Sequence, residues 1–546
     1  MKKNFLFGSV YWNNTGKSLK NDKNNFSNTK LTLSVNKIEI PTEEQYYSIK
    51  NNIICCMLGY FNNLEEVCTM YSVHSKNIGD TISELYIKNG SSVFSELDGI
   101  FIIFLFDGDN DIGYLYQPLH GNSLPLYYYS TDDEFNFSTS LRPILKLINK
   151  RELNSTAAKN FLHFYYLVPD KNTLVRNVYK IIPGTYLVID VKRRKCITRK
   201  IKPVWKKISL DFAKNNLMGS LKENFKNTFK NIDEQHFAVT HTKGWDTNLL
   251  LFFTNELTKN TINAVTINGG GEVNEVPYTK EIQKSYDNIR SLTAEVHNNL
   301  DQLVNLAWIY EGYIFQEGFF LRYELSKLLK NENITSVILG ASGDQILFPS
   351  QGFRKIIRDY PDFRYLLEYI VRRHCTKERI LRKRMKKTVR HLQFDPDIEM
   401  LIKMHGIILN YHGVQSIYPY INLKTKHLSR RLGFLNYKKK FYIEKVKEIL
   451  PLEIVQHLSK SRNVVDTKNL FSFDKVMLSK IFNSQMIKQV LSKAQIKQIL
   501  NKPEDYHLVV LQTIYLYIFD ALFLIGDYDD KFEEFYLNKG IEDLIH

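Results

Sequence analysis

Cysteine is scarce in this chain: 546 residues contain five, Cys55, Cys56, Cys68, Cys196 and Cys375. The number is odd, no pair has the spacing of zinc ligands, and the adjacent Cys55 and Cys56 suit reduced thiols in a strand. A disulfide framework and a zinc module are therefore not expected. Long apolar runs are nearly missing too. The exception, Leu508 to Ile525, is interrupted by Gln512 and Asp520 and reads as a buried carboxyl-terminal helix rather than a membrane span. The start, Met1 to Gly8, has a basic tip but turns polar at Asn13 and Asn14, too early for a signal peptide. The chain reads as cytosolic. It has no internal repeat period. Thr15-Gly16-Lys17-Ser18 imitates the end of a Walker A loop, but Tyr11 stands where the upstream glycine is required.

Apolar residues at 44% and charged residues at 24% are ordinary proportions for a globular protein. The length exceeds what one hydrophobic core usually serves, so two or more domains are expected. Basic residues outnumber acidic ones by 74 to 58, a net charge of +16 that favours anionic partners such as nucleotides, nucleic acid, acidic peptides or membrane surfaces. Part of that charge lies between Arg372 and His391. This segment reads first as a solvated helix face, next as a dock for an acidic peptide, and last as a nucleic-acid contact. No nucleic-acid-binding signature accompanies it.

The first two hundred residues carry short strand-like runs separated by Asp/Gly/Asn turns: Asn52 to Leu58, Gly99 to Phe106, Gly113 to Tyr116, Leu126 to Tyr129 and Phe135 to Thr139. Thr81 to Ile87 is helix-like. Pro183-Gly184 turns into a strand over Thr185 to Asp190, and Lys192 to Lys195 marks a solvated edge near a domain boundary. Beyond this the rhythm changes. Strands at Phe237 to Thr240, Asn263 to Ile267 and Ser336 to Leu339 alternate with helices at Thr247 to Leu257 and Val276 to Tyr286. Such alternation predicts a parallel α/β sheet with ligands beyond the carboxyl ends of its strands. From about Gln351 onward the pattern is helical.

Two strand-to-helix loops carry candidate chemistry. In Thr240-His241-Thr242-Lys243-Gly244-Trp245-Asp246-Thr247, hydroxyls and helix-start amides can cradle phosphates, and Asp246 can hold magnesium. The same residues also read as a plain helix start capped by Thr242 or Asp246. In Gly340-Ala341-Ser342-Gly343-Asp344-Gln345, small residues admit a ligand and Asp344 offers a second carboxylate; a Gly-rich turn is the alternative.

These loops resemble those of the asparagine synthetase family, which includes β-lactam synthetases and lasso-peptide macrolactam synthetases. Thr242 to Thr247 lies over the family's Ser-Gly-Gly-Xaa-Asp-Ser pyrophosphate loop, with Lys243 in place of the first glycine. Leu339 to Gln345 lies over a second family loop and keeps Gly340 and Asp344. Glu275 with Tyr278, and Gly413 to Ile421, resemble further family segments. Earlier in the chain, Gly59 to Glu65, Leu97 to Phe101, Leu124 to Tyr128 and Ile182 to Tyr186 resemble, in order, its glutaminase half.

The resemblance implies an amino-terminal Ntn-amidohydrolase-like αββα sandwich over 1–208. An α/β PP-loop synthetase domain with a helical carboxyl-terminal region would follow over 209–546. It implies ATP and Mg2+, with Asp246 and Asp344 as metal ligands. Thr242, Lys243, Gly244, Thr247 and Gly340 would face the phosphates, Ile267 the adenine, and Lys460 would assist adenylation, although a lone lysine there also reads as surface. Glutaminase chemistry needs a cysteine at residue 2, where Lys2 stands, and Leu58 replaces the oxyanion-hole asparagine. The nitrogen is then expected from a substrate amine. A lasso-type ligase closing a macrolactam on a peptide leads, with a leader-peptide-processing protease as its expected partner and neither nucleic acid nor membrane. A small-molecule amide or β-lactam ligase and an inactive scaffold are the alternatives. The scaffold is suggested by Lys243, Ala341 and Gln415, which, like Gln345, stand where the family usually has other residues.

Overall fold

The run Ile100 to Phe106 is apolar at every position, so a strand formed there must be covered on both faces. In the computed structural model it is. Ile102, Phe104 and Phe106 enter a core between two sheets. Phe101, Ile103 and Leu105 enter a second core beneath helices Leu64–Tyr71 and Ile78–Asn89. The structure describes residues 5–12, 25–27, 31–36, 47–75, 77–163, 171–202, 207–269, 274–296, 300–315, 318–347, 396–433, 439–459 and 474–526.

The strands of this first part are β1 (Phe5–Tyr11), β2 (Asn25–Ser27), β3 (Leu31–Asn36), β4 (Tyr47–Lys50), β5 (Ile53–Phe61), β6 (Gly99–Asp107), β7 (Ile112–Tyr116), β8 (Tyr127–Ser130), β9 (Glu134–Ser138), β10 (Tyr179–Lys180), β11 (Thr185–Asp190) and β12 (Lys195–Lys200). They make two antiparallel sheets, ordered β10-β8-β9-β1-β3-β2 and β12-β11-β7-β6-β5-β4. Helix Leu141–Leu145 packs on β8 and β9 of the first sheet. The layers thus run helix, sheet, sheet, helix. Lys192 to Arg194 form the exposed turn of the β11–β12 hairpin.

A third sheet follows, with β13 (Phe237–Thr240), β14 (Ile262–Asn268), β15 (Ile289–Glu295), β16 (Ser336–Ile338) and β17 (Gln415–Ile417). Its order is β15-β14-β13-β16-β17, and every pairing is parallel. From β13 the chain builds outward through β14 and β15, then returns to place β16 on the other flank. The gap between β13 and β16 is therefore a topological switch point, where open α/β sheets leave a crevice at the carboxyl ends of their strands.

The expectation of an all-helical region beyond Gln351 is corrected by β17, a three-residue strand buried mainly at Ser416 and Ile417. The apolar run Leu508 to Ile525 lies in Pro503–Ile525, long and apolar enough to span a membrane by composition. Here it packs inside the protein, with Tyr515 stacked on Phe161 and Phe523 on Trp308. The helices Leu141–Leu145 and Ser155–His163 share one continuous core with the third sheet and its helices.

Candidate active site

Two loops meet at the switch point. After β13, His241 to Gly244 lead into helix Trp245–Leu257, whose N-cap is Gly244. The loop is braced from within. Thr242 and Thr247 hydroxyls lie 2.9 Å apart, Gly244 N donates to Thr242 Oγ1 (3.1 Å), and Asn248 Nδ2 donates to the Thr242 and Gly244 carbonyls (2.9 and 2.7 Å). Beneath it the buried His241 receives a hydrogen bond from Gln283 on Nδ1 (2.9 Å) and donates from Nε2 to Asn248 Oδ1 (3.0 Å). Burial pushes its pKa down to about 4, so the imidazole is neutral and serves as a support. Lys243 N donates to Glu275 Oε2 (3.3 Å), and its ammonium lies 5.1 Å from the Tyr278 ring centroid. With these amides engaged, an incoming phosphate would meet the first-turn N–H groups of the helix, which have no intrahelical acceptor, and its positive dipole end.

The second loop leaves β16 and enters the short helix Gly343–Leu347. Its small residues are required by contact. A Cβ on Gly340 would come within 2.6 Å of Thr247 Cγ2, and one on Gly343 within 2.7 Å of Asp246 Oδ2. This closeness brings Asp344 to Asp246. The Lys439 ammonium bridges the two carboxylates, 2.6 Å from Asp246 Oδ2 and in direct contact with Asp344 Oδ1. Burial raises the pKa of Asp246, and Asp344 adds to this, while Lys439 opposes it. Burial works against the Lys439 charge, but the two carboxylates outweigh it and hold the ammonium above its ordinary pKa. Tyr420 OH donates to the Asp246 carbonyl (2.8 Å) and lies 3.0 Å from Tyr442 OH, which hydrogen-bonds the Asp246 carboxylate.

The donor set fits a magnesium ion held jointly with phosphates. Two carboxylates from different strands already converge on one cation. Among the described residues, Asp246 Oδ1 has no hydrogen-bond partner and is buried. Magnesium is commonly held by one or two carboxylates, with waters and phosphate oxygens completing its shell.

Of the residues singled out in the sequence, Thr242, Lys243, Gly244, Asp246, Thr247, Gly340 and Asp344 gather at these two loops. Ile267 lies near the carboxyl end of the neighbouring β14, paired with Ala294 of β15. Lys460 lies outside the described residues, as do Lys2 and the basic segment from Arg372 to His391. Ser459 is described, and its N donates to the Lys243 carbonyl (3.0 Å). Gln415 begins β17, at the opposite end of the parallel sheet from the aspartates. It lines a cavity of about 50 Å³ shared with Leu58 and Gly59 of β5. Lys439 and Tyr442 were not identified from the sequence. Lys439 sits in a lysine run, Lys438-Lys439-Lys440, that looks like solvated surface.

Comparison with known proteins bears on both parts of the chain. Residues 47–200, from the start of β4 to the end of β12, match the glutamine amidotransferase domain. A Methanocaldococcus jannaschii protein, named "Putative asparagine synthetase (glutamine-hydrolyzing) 2", is 23% identical over 333 residues. That alignment covers 57% of this chain and 62% of the relative, so the chain spans less than two thirds of the curated protein it matches. Among solved structures, glutamine phosphoribosylpyrophosphate amidotransferase from B. subtilis, complexed with ADP and GMP, has 9% identity and a TM-score of 0.25. It covers 62% of this chain and 76% of that one. A tRNA thiolase from Methanococcus maripaludis has 14% identity and a TM-score of 0.22, covering 53% and 81%.

Proposed function

We propose that the chain is an ATP-dependent amide ligase, with residues 1–208 as a degenerate glutaminase-like half and 209–546 as the synthetase half. The observation that carries this reading is the convergence of Asp246 and Asp344, from two loops at a topological switch point, on a single cation. The similarity to an asparagine synthetase supports it.

In the proposed reaction a substrate carboxylate oxygen attacks the α-phosphorus of ATP, the bond to the β-phosphate oxygen breaks, and pyrophosphate leaves. An amine then attacks the acyl carbon, loses a proton and displaces AMP. Magnesium held by Asp246 and Asp344 would neutralise the leaving pyrophosphate. Thr242, Thr247 and the start of helix Trp245–Leu257 orient the phosphates, and Lys460 is assigned to the charge that grows on the α-phosphate.

The amine is assigned to the substrate rather than to glutamine. Cys55 and Cys56 are buried, and burial raises their thiol pKa values, as it does at Cys68 and Cys196. No cysteine among the described residues is thus poised as a thiolate. Leu58, at the position of the oxyanion-hole asparagine, lies in the core between the sheets. A peptide closed into a macrolactam is the substrate class favoured here, on the net charge of +16 and the absence, among the described residues, of a cysteine poised as a thiolate.

Calorimetry of ATP with magnesium tests the reading. Binding in the wild type that is lost in Asp246→Ala and Asp344→Ala is the expected result. A folded wild type that binds no nucleotide, with or without a carboxylate substrate, would leave a scaffold role in its place.

A further inference from the structure

We propose that Lys439 is a resident counter-ion which holds the metal position between Asp246 and Asp344 and yields it only when nucleotide phosphates arrive. This rests on the adenylation reading above and specifies the order in which its ligands load. The Lys439 side chain is 15% exposed, and its ammonium touches both carboxylates. It stands in a left-handed conformation (φ 58°) at the cap of helix Lys440–Ile449, whose Tyr442 joins the hydrogen bonds around Asp246. The Asp246 and Asp344 carboxylates thus already share one cation. Without nucleotide that cation is Lys439.

A bare divalent ion would find little to gain. Among the described residues no group of three or more His, Cys, Asp or Glu side chains is placed to hold one. It would have two carboxylates, Asp344 largely exposed, and would have to break the largely buried Lys439–Asp246 pair to reach the other. ATP changes both terms. Its phosphate oxygens complete the coordination of the ion, and they give the displaced ammonium new anionic partners. Metal and nucleotide should therefore bind as a unit, and Lys439 would then lie against the phosphates.

Equilibrium dialysis of Mn2+, with the same ATP concentration on both sides of the membrane, separates the two steps, using wild type, Lys439→Met and Lys439→Arg, each with and without ATP. Without ATP, wild type and Lys439→Arg should take up Mn2+ weakly, and Lys439→Met at least about tenfold more tightly, a difference of about 1.4 kcal/mol. With ATP, the wild type should become a tight Mn2+ binder. Thermal melting confirms that each variant is folded, and Lys439→Arg keeps the comparison sound if Lys439→Met is weakened. Equal ATP-free affinity in wild type and Lys439→Met overturns the inference and leaves the adenylation reading standing. Failure of all three folded proteins to bind Mn2+ even with ATP overturns the adenylation reading itself, and this inference with it.

Discussion

A methyl group on Gly343 would lie 2.7 Å from Asp246 Oδ2 and 3.4 Å from a Tyr420 ring carbon. Neither neighbour can retreat freely, because Asp246 is held by Lys439 and its carbonyl by Tyr420. Gly343→Ala should therefore weaken ATP–magnesium binding by roughly tenfold or more through a shift of the two loops, as a misplacement near 1 Å can cost that and more. The melting temperature should change little, because alanine is favoured over glycine in a helix such as Gly343–Leu347. Calorimetry and a thermal melt on the same sample check both halves; an unchanged affinity would mean that the loops tolerate separation. At this scale the sequence is readable only where chemistry and chain position coincide. Asp246 and Asp344 each follow a buried strand, so position alone makes them candidates. Lys439 meets Asp246 across 193 residues, and nothing in a lysine-rich stretch distinguishes the lysine that folds inward from those that do not.

The segment Tyr418 to Asn422 joins the site to the amino-terminal sheets. Tyr418 N donates to Tyr60 OH at the end of β5 (2.9 Å), Tyr420 OH reaches the Asp246 carbonyl, and Asn422 Nδ2 donates to Asp98 Oδ2 (2.9 Å). Removing one neutral hydrogen bond typically costs about 1 kcal/mol, so Tyr420→Phe should lower ATP affinity by about fivefold, with stability reduced by a similar amount. Titration of the variant against wild type checks this, and an effect confined to melting would limit Tyr420 to a packing role. Glu311 binds two elements more firmly. It follows helix Gln302–Tyr310 in a left-handed conformation (φ 51°) and accepts from Leu141 N (2.6 Å), Arg142 Nε (2.9 Å) and Ser140 Oγ. Glu311→Ala takes this carboxylate from the largely buried Arg142 guanidinium, at a cost of about 3–5 kcal/mol. A clear fall in melting temperature is expected, and a fall no larger than for Tyr420→Phe would contradict it. The elements visible in the sequence are those whose alternating or wholly apolar runs follow from burial: Thr185–Asp190 falls where its pattern places it. The strand Ile289–Glu295 is not among them, since its exposed Arg290 and Ser291 obscure any alternation. Gln415–Ile417 is three residues long, too short to carry a period.

The junction of the two halves buries groups that titrate in opposite senses. Burial pushes the Asp98 carboxyl up to about 7, against the amides of Leu423 and Gly99 and the charge of Lys426. Burial pushes the Lys403 ammonium down to about 7, although Glu399 opposes this; its Nζ donates to the Leu124 carbonyl. For Asp98 the folded state binds the extra proton between the unfolded value near 3.9 and the folded value. Its contribution to stability is therefore complete below that window and is lost as pH rises to about 7, at up to about 1.4 kcal/mol per unit. For Lys403 the unfolded state holds the proton between the folded value and an unfolded value near 10.4, so stability rises with pH across that window. Together the two groups place the weakest point of the junction near neutrality. Asp98→Asn removes the first dependence, so its melting temperature should gain on wild type as pH rises from 5 to 7 and then run parallel. Lys403→Met removes the second, so its advantage, or smaller deficit, should be greatest below pH 7 and shrink toward pH 10. Melting temperatures of the three proteins from pH 5 to 10 decide the matter: curves that stay parallel throughout would mean that neither charge is held out of water at the junction.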